Sequence, residues 1–182
     1  IYTTDNGPWL PFLHHGGSAG PLREGKGTTF EGGQRVPCVM RGPGIPADTV
    51  CDELTSTIDL LPTIAAITDK PLPKGKKIDG LNVSGLWKGT EKNSPRTEFL
   101  HYTSRGDLEG IRSGKWKLLI KKPRRNPNNK PPEVFLFDLS KDLGEQNNLA
   151  EAKPVVVRDL RSRMETLDAE ITKNARSPWL KN

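Results

Sequence analysis

Two short stretches hold the side chains best suited to chemistry. Asp5-Asn6-Gly7-Pro8 sets a carboxylate beside an amide oxygen, and Gly25-Lys26-Gly27 sets an ammonium between two glycines. A hard cation such as calcium takes about six to eight oxygen ligands from carboxylates and amide carbonyls. An Asp-Asn pair supplies only part of such a shell, and zinc calls more naturally for histidine or cysteine. A lysine with no bulk beside it approaches an anion closely and neutralises charge that shifts onto ester oxygens. Together the stretches read as half of a site for an oxyanion ester. Each alone has a plainer reading, since Asp-Asn-Gly is a common Asx-turn string and a loop lysine is usually solvated.

The elements that must position these groups are uneven. Ile1 to Thr4 reads as a strand end, broken by Gly7-Pro8, and ligand sites of open α/β sheets gather at the carboxyl ends of strands. Trp9 to Gly33 shows no period and reads as a long irregular loop, a length that is usually functional or disordered. It holds His14 and His15, either of which could reach a ligand or sit exposed. Thr28 and Glu31 have capping-box spacing and read as structural. Arg35 to Arg41 reads as a short edge strand because of Pro37. Ser56 or Thr57 caps a helix whose apolar face carries Ile58, Leu61 and Ile64, with Pro62 in its first turn. Val83 to Trp87 reads as a brief helical turn.

From Thr97 the pattern changes. Glu98 to Tyr102, Lys115 to Ile120 and Val134 to Leu139 predict three short antiparallel strands. Pro154 to Thr172 predicts a closing amphipathic helix with Val155, Val156, Leu160, Met164, Leu167 and Ile171 on one side. His101 falls in the first of these strands. It could line a cleft rim or be a satisfied strand histidine. The run Lys121-Lys122-Pro123-Arg124-Arg125 reads as a solvated charge run or a grip on a sulfated polysaccharide.

Composition narrows the partners. The 182 residues carry a net charge of +6 and only 33% hydrophobic residues, so much apolar surface is expected to lie against something else. The charge favours anions, but no nucleic-acid module appears and the densest basic run lacks aromatics for stacking. No run approaches membrane-spanning length, so the segment reads as soluble, with no membrane partner. Cys38 and Cys51 are too few for a disulfide framework, and nothing requires them to pair. The opening reads as a strand already under way, so the chain is expected to be a piece of a longer protein. Self-association over exposed strand edges is one route by which such a piece stays folded.

The motifs in combination resemble the sulfatase family, which is arylsulfatase-like and lies in the alkaline phosphatase superfamily. They are Thr4-Asp5-Asn6-Gly7-Pro8, His15-Gly16-Gly17, Gly20-Pro21-Leu22-Arg23, Gly25-Lys26-Gly27-Thr28-Thr29-Phe30-Glu31-Gly32-Gly33 and Arg35-Val36-Pro37. The likeness continues through Ser56-Thr57-Ile58-Asp59-Leu60-Leu61-Pro62-Thr63, Ile78-Asp79-Gly80, Ile111-Arg112-Ser113-Gly114-Lys115-Trp116-Lys117-Leu118 and Leu136-Phe137-Asp138-Leu139. The resemblance implies an α/β fold. Residues 1–90 would be the C-terminal part of the catalytic domain, and residues 91–182 a small α+β subdomain with an antiparallel sheet and a C-terminal helix. It implies hydrolysis of sulfuric esters, Asp5 and Asn6 as calcium ligands, and Lys26 as the catalytic contact to the sulfate group. His15 and His101 are weaker candidates for substrate binding. The family's formylglycine nucleophile would lie upstream, because Cys38 lacks the proline of the modification motif. The chain alone is therefore expected to be inactive, with an incomplete calcium site. A sulfate ester, including sulfated carbohydrate, is the implied substrate, and the implied location is periplasmic, extracellular or lysosomal. The alternatives are a phosphoester or phosphonate hydrolase of the same superfamily, or a non-catalytic anion- or glycan-binding module.

Overall fold

The computed structural model describes residues 1–75, 77–123 and 130–175. The chain divides into two compact units. One comprises residues 3–38 and 98–182, the other residues 1–2 and 39–97. Two minimal strands, β1 (Tyr2–Thr3) and β2 (Cys38–Val39), form a two-stranded sheet. The strand expected over Arg35 to Arg41 shrinks to β2, since Pro37 offers no N–H to a ladder. Cys38 and Cys51 are both free and exposed.

The unit of residues 3–38 and 98–182 is built on an antiparallel meander. Its strands are β3 (Glu98–Tyr102), β4 (Leu108–Ser113), β5 (Trp116–Lys121) and β6 (Glu133–Asp138), in the order β3-β4-β5-β6. One face presents Leu100, Ile111, Leu118 and Leu136 to Leu160 and Met164 of the closing helix, Pro154–Asn174. The other face presents Leu119 and Phe137, which pack with Phe30 and Leu139. Phe30 belongs to the glycine-rich loop, so that loop caps the sheet face opposite the helix. Successive residues of a strand point to opposite faces, and neighbours in register share a face. Gly110↔Leu119, Arg112↔Lys117 and His101↔Gly110 are partners, so Lys117, Arg112 and His101 all lie on the loop face.

Sequence reading found three of these strands and missed β4. Its centre is Gly110, which weakens a strand signal. The glycine is needed there because a Cβ would lie 2.5 Å from Leu119 Cδ2 and 2.6 Å from the Leu118 carbonyl oxygen.

In the unit of residues 1–2 and 39–97, a 3₁₀ turn over Thr57–Asp59 runs into a helix over Leu60–Ile67, and a short helix follows over Ser84–Trp87. Asp59 is fully buried and organises the unit. Its carboxylate accepts from Arg96 Nε and from the N–H groups of Ser56 and Leu81, all at 2.8 Å, and pairs with Arg96 Nη2. Burial works against its charge, but the Arg96, Leu81 and Ser56 bonds outweigh that and hold the carboxyl below its usual range. The Thr63 hydroxyl accepts the Val83 N–H at 3.0 Å, tying the two helices. The apolar side chains of Ile58, Leu61, Ile64 and Ile67 remain exposed.

Candidate functional site

The irregular loop folds back on the Asp5-Asn6-Gly7-Pro8 turn by backbone contacts. The Lys26 N–H donates to the Pro8 carbonyl at 2.9 Å, and the Gly7 N–H donates to the Gly33 carbonyl at 3.3 Å. These approaches need glycine. A Cβ at Gly7 would lie 1.8 Å from the Gly32 carbonyl oxygen, and one at Gly25 would lie 2.4 Å from that of Pro8. The Thr4 hydroxyl donates to the Asn6 carbonyl at 3.0 Å and closes the turn. Asp5 is exposed and Asn6 half-buried. Among the described residues, neither side chain is spent on a hydrogen bond or ion pair. Lys26 is exposed, and its ammonium lies 5.8 Å from the Trp9 ring centroid. That cation–π neighbour was not foreseen from the sequence.

A buried charge cluster anchors the loop to the sheet. Lys117 Nζ lies 2.8 Å from Glu31 Oε1 and 2.9 Å from Glu145 Oε1. Exposures are 0% for Lys117, 2% for Glu31 and 0% for Glu145. The Glu31 N–H donates to Glu145 Oε2 at 2.7 Å, and Arg112 Nη1 stands 3.9 Å from Glu31 Oε2. The Arg112↔Lys117 register sets two cations side by side, and Glu31 stands against both. Burial pushes the Glu145 carboxyl above its usual range, against the pull of Lys117 and the Glu31 amide. The capping box expected of Thr28 and Glu31 does not form. Thr28 donates to the Gly25 carbonyl at 2.9 Å, while the Glu31 carboxylate is taken by Lys117, a charged partner in a dry site. The signal for this cluster was strand parity, which puts Lys117 on the face of Leu119.

The histidines part company. His14 and His15 end a 3₁₀ stretch over Leu10–His15 and are exposed. The Trp9 N–H to Gly16 carbonyl bond of 3.0 Å closes this stretch beside the Lys26 neighbour Trp9. His101 is 4% exposed, edge-on to Phe99, and neither ring nitrogen has a partner among the described residues. Burial first, then the Lys117 and Arg112 charges, hold its pKa well below the usual value. It is an interior residue of the sheet.

A groove of about 770 Å³ opens beside Gly27, lined by Thr103, Arg105, Asp107, Lys121 and Lys122 among others. Lys121 is committed within it, 2.7 Å from Glu109 Oε2, 3.2 Å from the Thr29 hydroxyl and 4.8 Å from the Phe30 centroid. Arg124 and Arg125 of the basic run lie outside the described residues.

Chemically, Asp5 and Asn6 offer hard oxygen donors that suit calcium rather than a soft metal. Among the described residues, no group of three or more His, Cys, Asp or Glu is placed to hold a metal ion. No helix among them is long and apolar enough to cross a membrane.

A sulfatase family model matches residues 1–70. Arylsulfatase A of Homo sapiens is 38% identical over 195 aligned residues, which cover 94% of this chain and 38% of that protein. Steryl-sulfatase of Homo sapiens is 34% identical, over 76% of this chain and 28% of that protein. Among solved structures, PsFucS1 sulfatase from Pseudoalteromonas sp. superposes with a TM-score of 0.77 at 24% identity, over 96% of this chain and 37% of that one. Ps i-CgsB, solved in complex with k-i-k-neocarrahexaose, gives a TM-score of 0.75 at 27% identity, over 99% of this chain and 38% of that one. The α/β, alkaline-phosphatase-like fold expected from the resemblance is the fold of these sulfatases. The chain spans about a third of the length of the curated relatives it matches. In sequence and in fold, the chain belongs to the sulfatase family.

Proposed function

We propose that this chain supplies the sulfate-holding side of a sulfuric ester hydrolase, within a protein of its relatives' length. The observation that carries this is the double backbone lock between the Asp5-Asn6-Gly7-Pro8 turn and the Lys26 loop. It ties the backbone that carries Asp5, Asn6 and Lys26 into a single loop cluster of one unit, which supports the reading. Asp5 and Asn6 would hold calcium, which when bound polarises a sulfate ester. Lys26 places its charge on the sulfuryl oxygens as negative charge grows there. Its cation–π contact to Trp9 limits where that ammonium can go. The formylglycine nucleophile and the remaining calcium ligands come from residues outside this chain.

The groove beside Gly27 takes the alcohol part of the ester. Its size is that of a small-molecule site, and its polar and charged lining suits the hydroxyls of a sulfated carbohydrate better than a wholly apolar alcohol. Of the two histidine candidates for substrate binding, His15 is exposed and open to such a ligand, whereas His101 is enclosed. The setting is outside the cytosol, in the periplasm, the lysosome or the extracellular space.

Kinetics and calorimetry on the full-length protein test this reading. Asp5→Ala is expected to abolish calcium binding and most turnover. Lys26→Ala is expected to lower kcat by about a hundredfold or more, the scale of one lost transition-state contact, with calcium affinity kept. Undiminished calcium affinity in Asp5→Ala refutes the metal assignment.

A further inference from the structure

We propose that Lys117 and Glu145 are positioning residues for the Lys26 loop, acting through Arg23 and Glu31. The proposal rests on the reading of Lys26 as the sulfuryl contact. Glu145 grips both feet of the loop. Its carbonyl accepts from Arg23 Nη1 at 2.8 Å, and its carboxylate accepts the Glu31 N–H at 2.7 Å. The feet also meet each other, since the Gly32 N–H donates to the Arg23 carbonyl at 2.8 Å. Lys26 sits between them. The Arg23 guanidinium lies 4.0 Å over the Phe30 ring, so the first foot is held on the sheet face as well.

Two features mark this as more than generic packing. Glu145 has φ of +52°, a left-handed backbone that disfavours a side chain, although Gly144 precedes it. A glutamate is held in a conformation suited to glycine, and its carboxylate is what the loop uses. Glu24, next to the Lys26 tripeptide, also has a positive φ of +61°. Strain of this kind persists only where the surroundings over-determine it, and it gathers at functional sites. Lys117, fully buried, supplies the charge that both carboxylates require. Fixing the loop by buried ion pairs, as well as by loop hydrogen bonds, fixes the backbone from which the Lys26 side chain projects. A displacement of about 1 Å from productive geometry costs on the order of a hundredfold in rate.

The test is a double-mutant cycle in the full-length protein, with an aryl sulfate as the probe. Glu145→Gln, Lys26→Ala and the double variant are compared in kcat and KM. Glu145→Gln is expected to lower kcat by about ten- to a hundredfold, with KM changed by no more than about twofold. In the Lys26→Ala background it is expected to cost almost nothing further, because the group it positions is gone. An equal fold-loss in both backgrounds overturns the proposal, as does an unchanged kcat in Glu145→Gln. Arg23→Lys, at a half-buried position, runs the same cycle if Glu145→Gln does not fold. Amide exchange gives a readout without turnover. Residues 24–33 are expected to exchange faster in the variant while β3 and the Pro154–Asn174 helix keep their protection. Loss of protection throughout the sheet contradicts a positioning role. Undiminished kcat in Lys26→Ala removes both this inference and the sulfuryl-contact reading. A loss in Lys26→Ala joined to an additive loss from Glu145→Gln removes this inference only.

Discussion

Single residues on the loop face of the sheet show what the site demands of its support. His101 is enclosed beside Lys117 and Arg112, with both ring nitrogens unbonded among the described residues. A buried polar group without a partner costs about 1–3 kcal/mol. Its folded pKa lies below the unfolded value of about 6.5, so the unfolded chain binds the extra proton. Stability is therefore full above that pH and falls as pH drops through about 6.5 toward the folded pKa. His101→Leu is expected to raise stability by roughly 1 kcal/mol at pH 7. It should also flatten the decline between pH 6.5 and 5 in chemical denaturation. A variant as pH-sensitive as the parent would show that other groups set the acid response.

At the scale of elements, the glycine-rich loop works because two backbones touch where side chains cannot fit. Gly25→Ala puts a Cβ 2.4 Å from the Pro8 carbonyl oxygen and 2.9 Å from Leu10 Cγ. Overpacking of this kind costs about 1–3 kcal/mol, and here the strain falls on the Lys26 to Pro8 bond. Turnover of the full-length variant is expected to drop more than its thermal stability explains. Stability loss with kcat intact would mean that the lock is incidental. The loop's close backbone approach was legible in sequence, since glycines around Lys26 announce it. Its shape was not, because contacts between Gly7 and Gly33 or between Glu31 and Lys117 join residues far apart in the chain. The helix over Leu60–Ile67, the strands β3, β5 and β6 and the closing helix follow from periodicity. β4 escaped because Gly110 answers to Leu119 on the next strand, a demand that no local pattern carries. Glu31 was misread for a similar reason. Its spacing from Thr28 suits a cap, yet a buried ammonium competes better for the carboxylate.

For the whole molecule, two compact units share one chain of about a third of the relatives' length. Trp9, Phe12 and Leu13 in one unit, and Leu61 and Ile64 in the other, expose apolar surface. The chain's own share of the proposed site lies within residues 3–38 and 98–182, a single unit, and so does not depend on how the units meet. Diffraction from the full-length protein crystallised with calcium and sulfate tests the shared site most directly. Anomalous signal is expected at an ion touching the Asp5 carboxylate and the Asn6 amide oxygen, with the sulfate in hydrogen-bond reach of Lys26 Nζ. Calcium bound elsewhere, with the Asp5 and Asn6 oxygens turned to solvent and Lys26 remote from the anion, would contradict it.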